Sequence, residues 1–202
     1  KLIYKNVSWH IHDYDEAALL AETDLCLDWY AKDFGHTIEG AARDDIHALW
    51  RKAFQSFSAH APGLCLRDFH AENLFWLPDR DATSRVGLID YQDALFVHPA
   101  YDLVSFIEDA RRDVSPDLHE PLQRRFCEKA ELDYDKSFRA AYAVMGAQRN
   151  AKILGIFVRL SERDGKPHYR QLIPRVAANM RQNLETEIMS DAKAWFQDHI
   201  PE

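Results

Sequence analysis

The chain has 202 residues, 47% hydrophobic and 29% charged, with only 7 Gly and 8 Pro; that is enough apolar material for a real core and argues against a disordered, collagen-like or linker-dominated polymer. Thirty-three acids against 25 Lys and Arg leave a formal charge of −8, which argues against a nucleic-acid backbone or an anionic membrane face as a general partner and puts small ligands first. Cys26, Cys65 and Cys127 are odd in number and far apart, so neither a disulfide framework nor a clustered zinc site is expected, and the cytosol is the expected compartment.

No apolar stretch approaches the ~18–20 residues that span a bilayer, and no basic-then-apolar leader opens the chain. The sequence begins at Lys1 rather than Met, so a piece of a longer chain is expected. In chain order, Asp13 followed by Glu16 reads as a capping-box start. It opens a helix over Asp15 to Asp33, carrying Leu19, Leu20, Cys26, Trp29 and Tyr30 and stopped by Gly35. From Ala42 to His60 the positions Ile46, Leu49, Trp50, Ala53, Phe54 and Phe57 repeat at helical spacing.

Between Leu64 and Ile89 the period changes. Leu64–Leu66, Asn73–Leu77 and Val86–Ile89 are short apolar runs, the last two joined by a polar turn over Pro78 to Ser84, which predicts a small β-hairpin. Pro99 suits the first position of a helix reaching Arg112. Beyond Ser115-Pro116 the pattern predicts helices over Pro116–Glu131, Asp135–Arg163, His168–Ile188 and Ser190–His199. The second of these is apolar on more than one side and is expected at the centre of the core. The five Trp residues are expected to pack in the core and between lobes, with stacking of one on a sugar ring as the alternative, and the overall class is α+β, mostly helical.

None of the seven glycines belongs to a G-x-G-x-x-G or G-x-x-x-x-G-K pattern, and the chain has no G-x-S-x-G, H-E-x-x-H or C-x-x-C, which removes phosphate-cradling loops and the common hydrolase, zincin and redox chemistries. The strand-rich island is different. It contains Leu66-Arg67-Asp68-Phe69-His70-Ala71-Glu72-Asn73 and, across the hairpin, Leu88-Ile89-Asp90-Tyr91-Gln92-Asp93. Kinase-type phosphoryl transfer needs a base near the attacking hydroxyl and oxygen ligands for Mg²⁺ on the triphosphate. Asp68, Asn73 and Asp90 are the right residue types: a tight loop lets Asp68 and Asn73 converge, and the hairpin returns Asp90 to the same place. An Asp-x-x-x-x-Asn alone is equally a solvated loop with an Asx turn; its conjunction with the hairpin and the second Asp is far more specific.

On these residues the island resembles the C-terminal lobe of the aminoglycoside phosphotransferase and choline kinase-like superfamily, a protein-kinase-like fold. Leu66-Arg67-Asp68 to Asn73 is similar to that family's catalytic loop, Val86 to Ala94 to its metal-binding segment, and His98-Pro99-Ala100-Tyr101-Asp102-Leu103 to the motif that follows. With Asn73 to Pro78, Glu108 to Val114 and Gln148-Arg149-Asn150, the pattern is most similar to the bacterial kinases that phosphorylate the anomeric hydroxyl of N-acetylmuramate and N-acetylglucosamine in cell-wall recycling.

The resemblance implies ATP and Mg²⁺ as cofactors, Asp68 as catalytic base, Asn73 and Asp90 as Mg²⁺ ligands, and Asp102 as a buried acid bracing the catalytic loop. It also implies a lobe covering residues 1–202 with its catalytic island at 64–94. An N-terminal nucleotide-binding lobe would lie outside this sequence, so that the 202 residues alone are expected to be inactive. Leu66 stands where the family usually has His, and Gln92 where protein kinases have Gly. An aminoglycoside acceptor, or a catalytically silent binding module of the same fold, are the alternatives.

Supporting residues carry two readings each. His70 reaches a phosphate or the metal, or bonds the loop backbone. Asp93 holds the metal segment or faces the sugar, or is a turn acid. Asp102 braces the loop or complements a helix dipole. Arg111, Arg112 and Arg149 meet a carboxylate such as the lactyl group of muramate, or pair on helix surfaces.

Overall fold

In the computed structural model, which describes the backbone of residues 2–4, 7–57 and 60–200 and side chains from residue 10 onward within those ranges, the long helix α5 (Lys136–Glu162) runs through the middle of the core. Its stretch from Ala141 to Ala151 is buried on every side, as a helix apolar around its circumference requires. Around it pack α1 (Glu16–Leu25), α3 (Ala100–Ile107) and α6 (Ile173–Leu184), while α2 (Gly40–Gln55) and α7 (Ser190–His199) pair with each other. The class is α+β and mostly helical, as the periodicities predict.

The cap of α1 is Asp15, whose carboxylate accepts from the Ala18 N–H at 2.8 Å, and the expected Asp13–Glu16 box is corrected. Tyr14 N donates to the Phe96 carbonyl at 2.8 Å and Phe96 N to that of His12 at 2.9 Å. Those bonds hold residues 12–14 extended, so no helix begins before Asp15. The helix then widens into a π-helical segment, Cys26–Ala31, before Gly35 ends it at φ +83°.

Gly155 of α5 faces the α-to-π junction, where an added Cβ would fall on the Leu25 carbonyl. Helix propensity alone favours Gly155→Ala by about 1 kcal/mol. The backbone collision reverses that sign, and a loss of about 1–3 kcal/mol is expected in urea unfolding.

The predicted Ala42–His60 helix is shorter as α2, with residues 58 and 59 outside the described ones. The predicted Pro99–Arg112 helix ends at Ile107 because Glu108 leaves helical geometry: its carboxylate accepts from Asn150 and Asn183 at 2.7 and 2.8 Å, and its carbonyl from Asn179 at 3.3 Å. The predicted Pro116–Glu131 helix is α4 (Pro116–Ala130), closed by Glu131 at φ +56°. The predicted His168–Ile188 helix is three pieces, a 3₁₀ turn Pro167–Leu172, then α6, then a 3₁₀ turn Glu187–Met189. Pro174, lacking an N–H, sits at the first positions of α6 and marks its start.

Among the described residues the strands are β1 (Leu2–Tyr4), β2 (Val7–Trp9), β3 (Gly63–Cys65), β4 (Leu74–Trp76), β5 (Val86–Leu88) and β6 (Leu95–Val97), forming three antiparallel pairs: β1 with β2, β3 with β6, and the predicted hairpin β4 with β5. The pairing of Cys65 with Leu95 brings the two ends of the 66–94 segment together, so the island grows from a two-stranded base. Trp50 and Trp195 are buried as expected, but Trp76 is 67% exposed on the hairpin; Trp9's side chain is outside the described set. All three cysteines are buried thiols, and burial pushes Cys26 up to about 12.

His98 sits in a nest of Phe57, His60 and Phe138 rings, its Nδ1 accepting from the Ala100 N–H at 3.1 Å. Burial, then the neighbouring His60, hold its pKa down to about 4. An unfolded chain takes up this proton near pH 6.5 and the folded one does not. Stability is therefore full above about pH 6.5 and falls as pH drops toward 4, by about 3 kcal/mol from this group. His98→Asn keeps an acceptor for Ala100 and is expected to flatten that part of the stability–pH curve; an unchanged slope would contradict the assignment.

Candidate active site

Leu66 to Asn73 runs from β3 to β4 as a tight loop bonded to itself: Asp68 N to the Leu66 carbonyl, His70 N to that of Asp68 and Asn73 N to that of His70, at 2.9, 3.0 and 2.9 Å. Arg67 has φ +67°, a left-handed conformation that costs a non-glycine residue about 1–2 kcal/mol. The surroundings hold it there. Asp102 Oδ2 accepts from Leu66 N at 2.7 Å and Oδ1 from Arg67 N at 3.0 Å, while Ser105 Oγ donates to the Arg67 carbonyl at 3.2 Å. The guanidinium of Arg67 pairs with Glu22 at 2.5 Å and lies over the Tyr14 ring at 5.2 Å.

Asp109 performs the same service further along, its Oδ2 accepting from Ala71 N at 3.1 Å and its Oδ1 from Arg111 N at 2.9 Å. Asp102 and Ser105 lie one turn apart on α3 and Asp109 follows just past its end, so the helix and its exit together grip the loop backbone. Burial lifts the Asp102 carboxyl above its ordinary value, against the lowering effect of the two N–H bonds and of Arg149.

Asp68 is exposed at the loop tip. The hairpin register, with Leu74 opposite Leu88 and the Ile89 N–H donating to the Asn73 carbonyl at 3.2 Å, brings Asn73 beside Asp90. Asn73 Nδ2 donates to the Asp68 backbone carbonyl at 2.9 Å and to Asp90 Oδ2 at 3.4 Å. Asp90, at φ +59°, accepts from Gln92 Nε2 at 2.7 Å through its other oxygen. The amide's donor side is thus committed, which turns Asn73 Oδ1 into the available acceptor next to a carboxylate. Two hard oxygen donors, with water and phosphate oxygens completing the shell, suit Mg²⁺; among the described residues no cluster of three or more His, Cys, Asp or Glu gathers as a metal cage.

The supporting residues divide. His70 is 9% exposed, with its Nε2 3.4 Å from Asn73 Nδ2, and burial and then Arg111 hold its pKa below the ordinary value. Asp93 lies exposed in the turn closed by the Ala94 N–H on the Tyr91 carbonyl at 3.2 Å. The three arginines do not form one patch: Arg111 pairs with Glu72 at 2.7 Å, Arg112 is exposed, and Arg149 is 4% exposed inside the core.

Sequence reasoning missed Ser105, Asp109, Glu22 and Lys152. Lys152 pairs with Glu22 at 3.0 Å beneath the loop, and burial lowers its pKa. Its signal was a run of polar residues, Gln148-Arg149-Asn150 and Lys152, inside an otherwise apolar helix. Leu64, Phe75, Trp76, Val86, Leu88, Ile89 and Tyr91, on and beside the hairpin, are all exposed.

A profile of the phosphotransferase enzyme family matches residues 8–142. The chain is 39% identical over 201 residues to an N-acetylmuramate/N-acetylglucosamine kinase of Caulobacter vibrioides, covering 99% of this chain and 55% of that one. It is 33% identical over 180 residues to a kinase of the same name from Neisseria meningitidis serogroup B, covering 84% and 51%, and 33% identical over 173 residues to one from Pseudomonas aeruginosa, covering 80% and 48%. The chain thus spans about half the length of the curated relatives it matches. The crystal structure of a choline/ethanolamine kinase family protein from Mesorhizobium loti superimposes with a TM-score of 0.58 at 16% identity, covering 96% of this chain and 61% of that one; this is a likeness of fold, a kinase-like lobe.

Proposed function

Because the chain belongs to the phosphotransferase enzyme family, we propose that it is the acceptor- and metal-binding lobe of an ATP- and Mg²⁺-dependent kinase acting on the anomeric hydroxyl of N-acetylmuramate or N-acetylglucosamine. The observation that supports this reading is the Asn73 amide, which ties the Asp68 backbone to the Asp90 carboxylate at 2.9 and 3.4 Å and so draws together the two segments that carry the proposed base and metal ligands. The names of the relatives supply the sugar.

In this reading Asp68 orients the acceptor hydroxyl and receives its proton; an anomeric hydroxyl is more acidic than an ordinary alcohol, which eases the transfer. Asn73 Oδ1 and Asp90 hold Mg²⁺, which when bound neutralises charge on the nucleotide phosphates. Asp102, Ser105 and Asp109 fix the loop so that Asp68 is in place before substrate arrives. Gln92, in the turn that also carries Asp93, holds the Asp90 carboxylate at 2.7 Å. The exposed apolar residues of the hairpin are the face on which a nucleotide-binding lobe, outside residues 1–202, packs; apolar exposure on this scale marks a contact surface.

The test is a substrate panel with the natural-length protein, measuring ADP release. Mg²⁺-dependent turnover with N-acetylmuramate and N-acetylglucosamine, and none with kanamycin-type amines, is expected. The opposite preference would transfer the reading to an aminoglycoside acceptor.

A further inference from the structure

Beneath the catalytic loop, besides the equally unmet Arg67 Nε, two further donors meet no acceptor. Arg149 on α5 is 4% exposed and its Nη1 is buried with no hydrogen-bond partner; His70 in the loop is 9% exposed and its Nδ1 is in the same condition. The state of the His70 ring follows from its neighbours. Asn73 Nδ2 is fixed as a donor by its bond to the Asp68 carbonyl at 2.9 Å, and it faces His70 Nε2 at 3.4 Å. Both hydrogens of that amide nitrogen are taken by Asp68 and Asp90, and it offers no lone pair to an Nε2–H, so Nε2 faces it unprotonated and the proton of a neutral ring sits on Nδ1. Both orphans are N–H groups, and the charge of Arg149 reaches His70. Buried donors, and guanidiniums above all, are costly to leave unmet.

The charge around them selects what the missing acceptor is. Asp102, Glu108 and Asp109 stand close by, each already accepting two N–H bonds. The field of Arg149 acts on Asp102 and Glu108, and that of Asp109 on His70. The second cation near His70, Arg111, is paired with Glu72 at 2.7 Å. Two carboxylates thus share the field of Arg149 and a third acts on His70. A further carboxylate would be repelled, whereas a neutral carbonyl oxygen accepts from both donors at no electrostatic cost. This sets aside the lactyl group as the partner of Arg149.

We propose that Arg149 Nη1 and His70 Nδ1 form an acetamido subsite, donating to the N-acetyl carbonyl oxygen of the acceptor sugar. The proposal rests on the sugar reading above and deepens it. The acetamido group is the feature that N-acetylmuramate and N-acetylglucosamine share, so one subsite serves both and rejects sugars without it. Each of the two residues keeps a sliver of exposed surface, but the two nitrogens themselves are buried, so binding requires a side-chain shift that opens them to the carbonyl.

The experiment is titration calorimetry of the natural-length protein with N-acetylglucosamine, N-acetylmuramate and 2-deoxyglucose. The acetylated sugars are expected to bind with similar affinity, and 2-deoxyglucose on the order of 10- to 100-fold more weakly. Arg149→Met and His70→Phe are each expected to bring the acetylated sugars down to the 2-deoxyglucose level, and Arg149→Lys to restore part of the loss. His70→Phe serves if Arg149→Met fails to fold. Equal binding of 2-deoxyglucose by the unmodified protein, no binding of any sugar, or a full acetamido preference kept in His70→Phe would overturn the proposal. So would a loss confined to N-acetylmuramate in Arg149→Met. Acetamido preference in a natural-length protein that transfers no phosphate upholds the subsite and defeats the kinase reading; phosphate transfer as fast to 2-deoxyglucose does the reverse.

Discussion

Asp68→Asn in the natural-length protein is expected to lower kcat by about 10²- to 10⁴-fold, the usual worth of a positioned base, with an unchanged melting curve. The two side chains have the same shape, and Asp68 is exposed, so no core contact is lost. The loop's bonds to Asp68 use its backbone N–H and carbonyl, which the substitution leaves alone. What disappears is a carboxylate able to take a proton. The KM for sugar is expected to change far less than kcat, because the amide still hydrogen-bonds the hydroxyl in the ground state. Steady-state kinetics on variant and parent decide it, and a kcat within a few-fold of the parent's would remove Asp68 from the chemistry.

Asp102→Ala has the largest expected effect on stability. One carboxylate meets two consecutive backbone N–H groups, at 2.7 and 3.0 Å, and the second belongs to Arg67 in its left-handed conformation. Removing it leaves both donors unmet in a largely buried place, a loss of about 1–3 kcal/mol for each, so a total of about 2–6 kcal/mol is expected in urea unfolding. Asp102→Asn is expected to fall between, since its amide offers one acceptor to Leu66 or Arg67 and turns an N–H toward the other. Amide exchange is the specific readout: the Leu66 and Arg67 amides are expected to lose protection while those of α5 keep it. A change spread evenly over the core would point to ordinary packing loss instead.

The parts of this site legible in sequence are those set by local chemistry. The hairpin was readable because two apolar runs flank a polar turn, and once it is read, Asn73 and Asp90 must meet across it. Asp68 followed from its spacing to Asn73. Asp102 was reached only through resemblance, because nothing local distinguishes a loop brace from an acid at a helix start. Asp109 was out of reach: its role depends on α3 exiting toward the loop, which is a tertiary fact. The strand β6 is a three-residue run that merges with the helix after it, and its partner lies some 30 positions earlier. A π-helical segment shares the apolar content of an α-helix, so Cys26–Ala31 left no mark. The arginines show the sharpest limit. Arg149 reads as a surface cation until α5 is seen to be buried all round, and the same burial that misled the reading is what makes its unmet N–H informative.

The proposal that Asp68, Asn73 and Asp90 gather around one divalent cation is tested most directly by NMR of the isotope-labelled natural-length protein, with Mn²⁺ and a non-hydrolysable ATP analogue as probe. The backbone resonances of Asn73 and Asp90 are expected to broaden first, those of Asp68 next, and Asp90→Ala to abolish the effect while α5 resonances stay sharp. Broadening centred away from the 66–94 segment, or broadening that survives Asp90→Ala, would contradict it.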